Sequence, residues 1–170
     1  TTINLTDTTD AANITFNGNV SATTFNTAAE GYNVIFNGTT STITNAVTFS
    51  NSGSVTFGND SSDSVVSSGV SGGFVVIAPS QINLIGELQT GNGNMILGDA
   101  DTPIVLVGWA SLNTSGSGTI TINGTIDGGH QFVISNTSTT TINSIVGGST
   151  PLTAITTNAL GTTYINGGAI

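Results

Sequence analysis

The side chains of this chain best suited to chemistry are nine carboxylates, one imidazole and one indole. The acids are Asp7, Asp10, Glu30, Asp60, Asp63, Glu87, Asp99, Asp101 and Asp127. Three pairs are closely spaced: Asp7 with Asp10, Asp60 with Asp63, and Asp99 with Asp101. Each pair lies among hydroxyl and carbonyl oxygens, the hard ligands that Ca²⁺ takes. Asp60/Asp63 and Asp99/Asp101 are therefore the expected positions for calcium, the one cofactor the sequence suggests. The competing reading is a turn cap, because a short carboxylate accepts hydrogen bonds from its own backbone. Neither an EF-hand loop nor a glycine-rich nonapeptide repeat occurs, which favours the turn.

Other chemistry is weaker. Two carboxylates can hydrolyse a glycoside, and Asp99 with Asp101 is the pair to consider for a polysaccharide-active β-helix enzyme. Cleavage of an acidic polysaccharide usually needs Arg, Lys or a metal to neutralise the substrate, and the chain has no Lys or Arg. His130 follows Gly128-Gly129 with no Ser–His–Asp order around it, and reads as an exposed loop histidine. Trp109 can stack on a sugar ring, although a single Trp ending an apolar run is expected in the core. No catalytic residue is expected. Thr-x-Thr at Thr42–Thr44, Thr119–Thr121 and Thr139–Thr141 falls short of the unbroken Thr array that ice binding requires. Asn-x-Ser/Thr triplets begin at Asn4, Asn13, Asn19, Asn37, Asn59, Asn113, Asn123 and Asn136, as chance provides in so Asn-rich a chain.

Charge excludes several partners. An average domain is about 25% charged; this one is 5% charged, with a net charge of −9. Phosphate backbones are gripped by cationic side chains, so nucleic acid is not an expected partner. Attraction to anionic membrane surfaces is equally disfavoured, and no run of 18 apolar residues suggests membrane insertion. The chain starts at Thr1 with no leader-like pattern, so it is expected to be a processed product or an excerpt. Without cysteine it has neither disulfides nor thiolate metal sites.

The elements that must position these residues are strands. One phrase, apolar–any–apolar followed by a turn pair, recurs eight times. It reads Ile14–Phe16, Val34–Phe36, Val55–Phe57, Val75–Ile77, Met95–Leu97, Ile120–Ile122, Thr140–Ile142 and Thr163–Ile165. The third residues are 20, 21, 20, 20, 25, 20 and 23 positions apart. A fixed period of this size marks a repeat architecture whose units bury their apolar faces only by stacking. Asn-Gly follows the phrase at 17–18, 37–38, 123–124 and 166–167, as a hairpin loop or as the corner of a coil. The same strand type returns one period later, which favours the coil. The expected fold is all-β, a right-handed parallel β-helix of about eight ~20-residue coils, forming one domain over 1–170.

Finer expectations follow. Each coil has room for a second strand, at 20–25, 43–49, 64–66, 82–88, 104–109, 131–134 and 152–156. Phe16, Phe36 and Phe57 should stack inside, followed by aliphatics in one column. Thr15, Ile35, Thr56, Val76, Ile96, Thr121, Thr141 and Tyr164 should face out. Asn17, Asn37, Asn123, Asn143 and Asn166 form a candidate amide ladder, interrupted in the middle. The long intervals place loops at Ser111–Ser117 and Gly147–Pro151. A parallel stack also explains the missing charge, since a repeated charge would meet its copy within ~5 Å.

The runs Gly31–Gly38 (GYNVIFNG), Ser41–Ser54 (STITNAVTFSNSGS), Val55–Asp60 (VTFGND) and Thr139–Ile170 resemble the strand repeats of filamentous-haemagglutinin-like bacterial adhesins and exoproteins. That resemblance implies a right-handed parallel β-helix on the cell surface or in an extracellular fibre. The family's secretion domain is not evident. The expected function is a secreted, non-enzymatic structural solenoid of a surface adhesin, extracellular filament or biofilm matrix. Its partners would be further copies of itself, stacked head to tail through uncapped end coils, and surface glycans. The alternatives are a passive adhesin spacer with calcium or carbohydrate binding, and the polysaccharide-active enzyme.

Overall fold

The computed structural model describes residues 1–6, 9–158 and 160–168. Val, Ile and Thr, which fit a pleated surface, dominate the segments between turn residues, and they fold as short strands. The first turn holds β1 (Thr2–Leu5), β2 (Asn13–Phe16) and β3 (Ser21–Ala22); the second holds β4 (Thr24–Thr27), β5 (Asn33–Phe36) and β6 (Thr40–Ile43). The third holds β7 (Val47–Phe49), β8 (Val55–Phe57) and β9 (Ser64–Ser67). In the fourth and fifth, β10 (Phe74–Val76) and β12 (Met95–Leu97) precede the long strands β11 (Ile82–Thr90) and β13 (Ile104–Thr114). The sixth holds β14 (Ile120–Ile122), β15 (Ile126–Asp127) and β16 (Gln131–Asn136). The last holds β17 (Thr139–Ile142), a single bridge at Val146 and β18 (Ala154–Thr157), after which β19 (Thr162–Ile165) begins another rung.

Every pairing among these strands is parallel, and no helix occurs among the described residues. The result is a parallel β-solenoid of about seven turns, roughly 34 Å long at the ~4.8 Å strand spacing. The sequence predicts two strands per turn; the structure has three, on three faces. β1 and β4 pair on the first face, which continues as β7–β10–β12–β14–β17–β19. The second face runs β2–β5–β8, then the N-terminal halves of β11 and β13, then β15. The third runs β3–β6–β9, then the C-terminal halves of β11 and β13, then β16 and β18. Between β4 and β7 the ladder is replaced by the Thr27 hydroxyl, which accepts the Ser50 N–H at 2.7 Å.

The eight phrases do not form one column. Phe16, Phe36 and Phe57 stack on the second face, and that column continues into Leu84 and Leu106. Leu97, Ile122, Ile142 and Ile165 stack on the first face, in line with Val76 and Phe49. Both faces demand the same alternation, so one pattern serves two ladders. The fourth phrase is also shifted by one residue. Phe74 and Val76 are buried, and Ile77 is exposed beyond the strand. Phe74 offers more apolar surface than Ile77, and a one-residue slip would have turned its ring to solvent.

The core is one continuous cluster with two characters. Phe16, Phe25, Phe36, Phe49, Phe57 and Phe74 form a connected set of rings in the first four turns, with centroids 5.4–6.3 Å apart. Such pairs add about 0.5–1.5 kcal/mol each beyond burial. Leu84 and Leu88 join them in the fourth turn, and later turns are filled by Met95, Leu97, Leu106 and Leu112, with Phe132 the one aromatic among the buried side chains.

Along the third face the inward column ends in polar residues. Ser67, Thr90, Thr114 and Asn136 stand in register and are all buried. Thr114 Oγ1 donates to Asn136 Oδ1 at 2.7 Å, and the Asn136 amide donates to the Thr139 carbonyl at 2.9 Å. Thr90 Oγ1 donates to the Gly93 carbonyl at 2.8 Å, and Ser67 Oγ to the Asn45 carbonyl at 3.0 Å. These bonds satisfy backbone groups at the corner, which would otherwise be costly to bury. They also correct the expected loop at Ser111–Ser117. Ser111–Thr114 is strand, with Leu112 inward and Thr114 held by Asn136, and only Ser115–Ser117 bends. The Gly147–Pro151 segment is a loop as expected.

Candidate functional site

The carboxylate pairs occupy different corners. Asp60 and Asp63 lie between β8 and β9, where the second face turns into the third. Asp99 and Asp101 lie between β12 and β13, where the first turns into the second. Asp63 Oδ2 accepts the Asn59 and Asp60 N–H groups at 2.8 and 3.0 Å. Asp60 Oδ1 accepts the Ser62 N–H at 2.9 Å and the Ser62 hydroxyl at 2.8 Å. These two bonds hold the Asp60 carboxyl below the usual carboxylate range. Asp99 Oδ1 accepts the Asp101 N–H at 2.9 Å. Each pair thus caps its own turn. Among the described residues no three His, Cys, Asp or Glu side chains gather as a metal-binding group. Asp7 lies outside the described residues.

Asparagine amides form short columns, mostly at the corners and once within the first face, but not as one series. Asn37 donates to Asn17 at 3.2 Å where the second face meets the third. Asn143 donates to Asn123, and Asn166 to Asn143, both at 2.9 Å, where the first meets the second. Asn26 donates to Asn4 and Asn33 to Asn13, each at 2.8 Å, a pair of steps the strand phrases did not reveal. In all five bonds the NH₂ of the later rung donates to the oxygen of the earlier one. The columns are therefore polar. The first rung ends in the NH₂ groups of Asn4, Asn13 and Asn17, and the last in the Asn166 oxygen.

The terminal rungs are also where the interior is uncovered. Leu97, Ile122 and Ile142 are buried, yet Ile165, next in the same column, is 38% exposed. Leu160 is 80% exposed and Ile155 half-buried. A cleft of about 210 Å³ opens there between Val146, Leu152 and Ile155. At the other end Ile3, Ile14 and Phe16 are only partly covered. β2, β1, β18 and β19 each pair on one side alone among the described strands.

Trp109 is not in the core. It is 37% exposed and Val107 47% exposed, on a bulge where β13 rounds the corner between the second and third faces. Leu84 pairs with Leu106 and Gly86 with Ala110, so Val107, Gly108 and Trp109 stand opposite Ile85 alone. Gly108 is buried within the bulge, and a Cβ there would meet the Ile85 side chain rather than the core. His130 is exposed in the turn before β16, as the sequence suggests. Of the residues expected to face out, Thr15 and Tyr164 are exposed and Ile35, Thr56, Ile96, Thr121 and Thr141 half-buried; Val76 is buried instead. Comparison with protein-family models, curated proteins and solved structures finds no match.

Proposed function

We propose that this chain is a secreted, non-enzymatic structural solenoid of a bacterial surface adhesin or extracellular filament, lengthened by stacking coil on coil. The observation that carries this reading is the change along one column. The inward position is closed at Leu97, Ile122 and Ile142 and open at Ile165, and Leu160 in the turn before β19 is exposed as well. A further rung would cover these side chains and pair the free edge of β19, as strand addition does elsewhere. The polar amide columns give such growth a direction, because NH₂ groups at one end meet a carbonyl oxygen at the other. Lack of Lys and Arg suits a surface of stacked neutral side chains.

Sedimentation velocity and negative-stain imaging of the purified chain over a broad concentration range test the proposal. Rods whose length grows with concentration are expected. Particles that stay monomeric at the highest concentration would sink end-to-end assembly. In that case a variant carrying one further designed rung at the C-terminus, more stable than the parent, would favour the spacer reading.

A further inference from the structure

We propose that the corner of the fifth and sixth turns is a binding ledge for a neutral polysaccharide, with Trp109 as its stacking platform. The β13 bulge is the first support. Bulges re-aim side chains, and this one, with Val107–Trp109 opposite Ile85, leaves the only indole of the chain partly exposed. Ile85 covers Gly108, where a side chain would collide with it. Trp109 is 37% exposed, so part of the indole is open to solvent.

The neighbouring rung supplies the second support. Ala110 pairs with Phe132 and Val105 with Asp127, so Gly129, His130 and Gln131 stand beside Val107, Gly108 and Trp109. Gly128 and Gly129 leave a floor without side chains. Gly128 is held at φ 120° against the Leu106 backbone, a conformation open to glycine, and nothing but a distant Thr150 methyl approaches Gly129. His130 and Gln131 are exposed, and no hydrogen bond to another described residue occupies either side chain. Asp127 does not compete, because its Oδ1 accepts the Ser149 and Thr150 N–H groups at 2.7 and 2.9 Å. An apolar ring and a free amide and imidazole therefore lie on adjacent rungs.

The chemistry of the ledge selects its ligand. A net charge of −9 with no Lys or Arg repels polyanions. Three apolar side chains make too small a patch for a stable protein interface. A neutral hexose presents an apolar C–H face to the indole and a rim of hydroxyls to Gln131 and His130, which matches both.

Because Trp109 is the single Trp, its emission reports binding directly. The full chain is titrated with cellohexaose, mannohexaose, xylohexaose and chitohexaose, with hexagalacturonate as the acidic control. At least one neutral hexasaccharide is expected to blue-shift the emission, and the acidic one to leave it unchanged. By calorimetry, Trp109→Ala abolishes binding and Gln131→Ala weakens it about tenfold, or about 1.4 kcal/mol. Val70→Ala, at a distant exposed site, leaves it intact. Circular dichroism confirms that each variant is folded. The proposal is overturned by silence with all four neutral sugars, by an equal response to hexagalacturonate, or by unchanged calorimetry in Trp109→Ala. An emission shift produced by protein concentration alone, without sugar, would assign Trp109 to a contact between copies instead and also overturn it.

Discussion

The Asn166 amide nitrogen donates to the Asn143 side-chain oxygen at 2.9 Å, and Asn143 repeats the same bond to Asn123 one rung earlier. Each middle amide both donates and accepts, which a carboxylate cannot do. This bifunctionality explains why the stacked columns hold asparagine while the aspartates cap their own turns.

Replacing the middle member tests the column. In Asn143→Asp an ionised side chain still accepts from Asn166 but faces the Asn123 oxygen with no proton to give. Protonation restores the bond, so the folded state raises the pKa of this carboxyl above its unfolded value. Stability is then greatest below the unfolded pKa and is lost as pH rises through the folded pKa. Melting curves from acid to neutral pH should show a deficit that grows to about 0.5–1.5 kcal/mol. A deficit independent of pH would contradict the column.

The aromatic column should be unequal along its length. Phe36 is buried and touches Phe16, Phe25, Phe49 and Phe57. Phe36→Ala should cost about 3–5 kcal/mol in denaturant unfolding. Phe16, half-buried at the first rung, should cost clearly less when replaced by Ala. Equal losses would mean that the end rung is as well packed as the interior.

Gly86 lets β11 pass from the second face to the third without a break. Its φ is 80°, and an added Cβ would collide with the Asp63 carbonyl. Gly86→Ala should therefore destabilise by more than the ~1 kcal/mol of a left-handed alanine alone. Gly18→Ala meets nothing within 4 Å and should be near neutral. Thermal unfolding of the two variants decides the comparison.

Asp60 provides a local pH test. Its carboxyl is lowered by the Ser62 N–H first and the Ser62 hydroxyl second. A lowered folded pKa gives a contribution that is present above the unfolded value and lost as pH falls through the folded one. Ser62→Ala removes the hydroxyl alone, so the Asp60 pKa should rise part of the way to its ordinary value. Carboxyl-detected NMR titration measures it; an unmoved pKa would show that the backbone N–H suffices.

The strand phrases made the solenoid legible, and the turn pairs after them made its corners legible. The three-sided cross-section was not legible. Val47–Phe49 and Val55–Phe57 have the same pattern, yet they lie on different faces. The buried Ser67–Thr90–Thr114–Asn136 column also escaped sequence reading, since Ser, Thr and Asn in such a chain ordinarily suggest surface or loop. The exposed Trp109 escaped it for the converse reason, an indole in an apolar run.

By itself the sequence determined that parallel rungs would stack, because alternation with a fixed period leaves each unit an apolar side that only its neighbour can bury. It also determined that the surface would be nearly free of charge. The tertiary structure alone decided which phrase joins which column, which polar side chains are buried, and that Val107–Trp109 bulges outward. Those outcomes depend on corner geometry and on the register between residues about one turn apart. Local pattern fixes the period of a strand but not the partner that closes its hydrogen bonds.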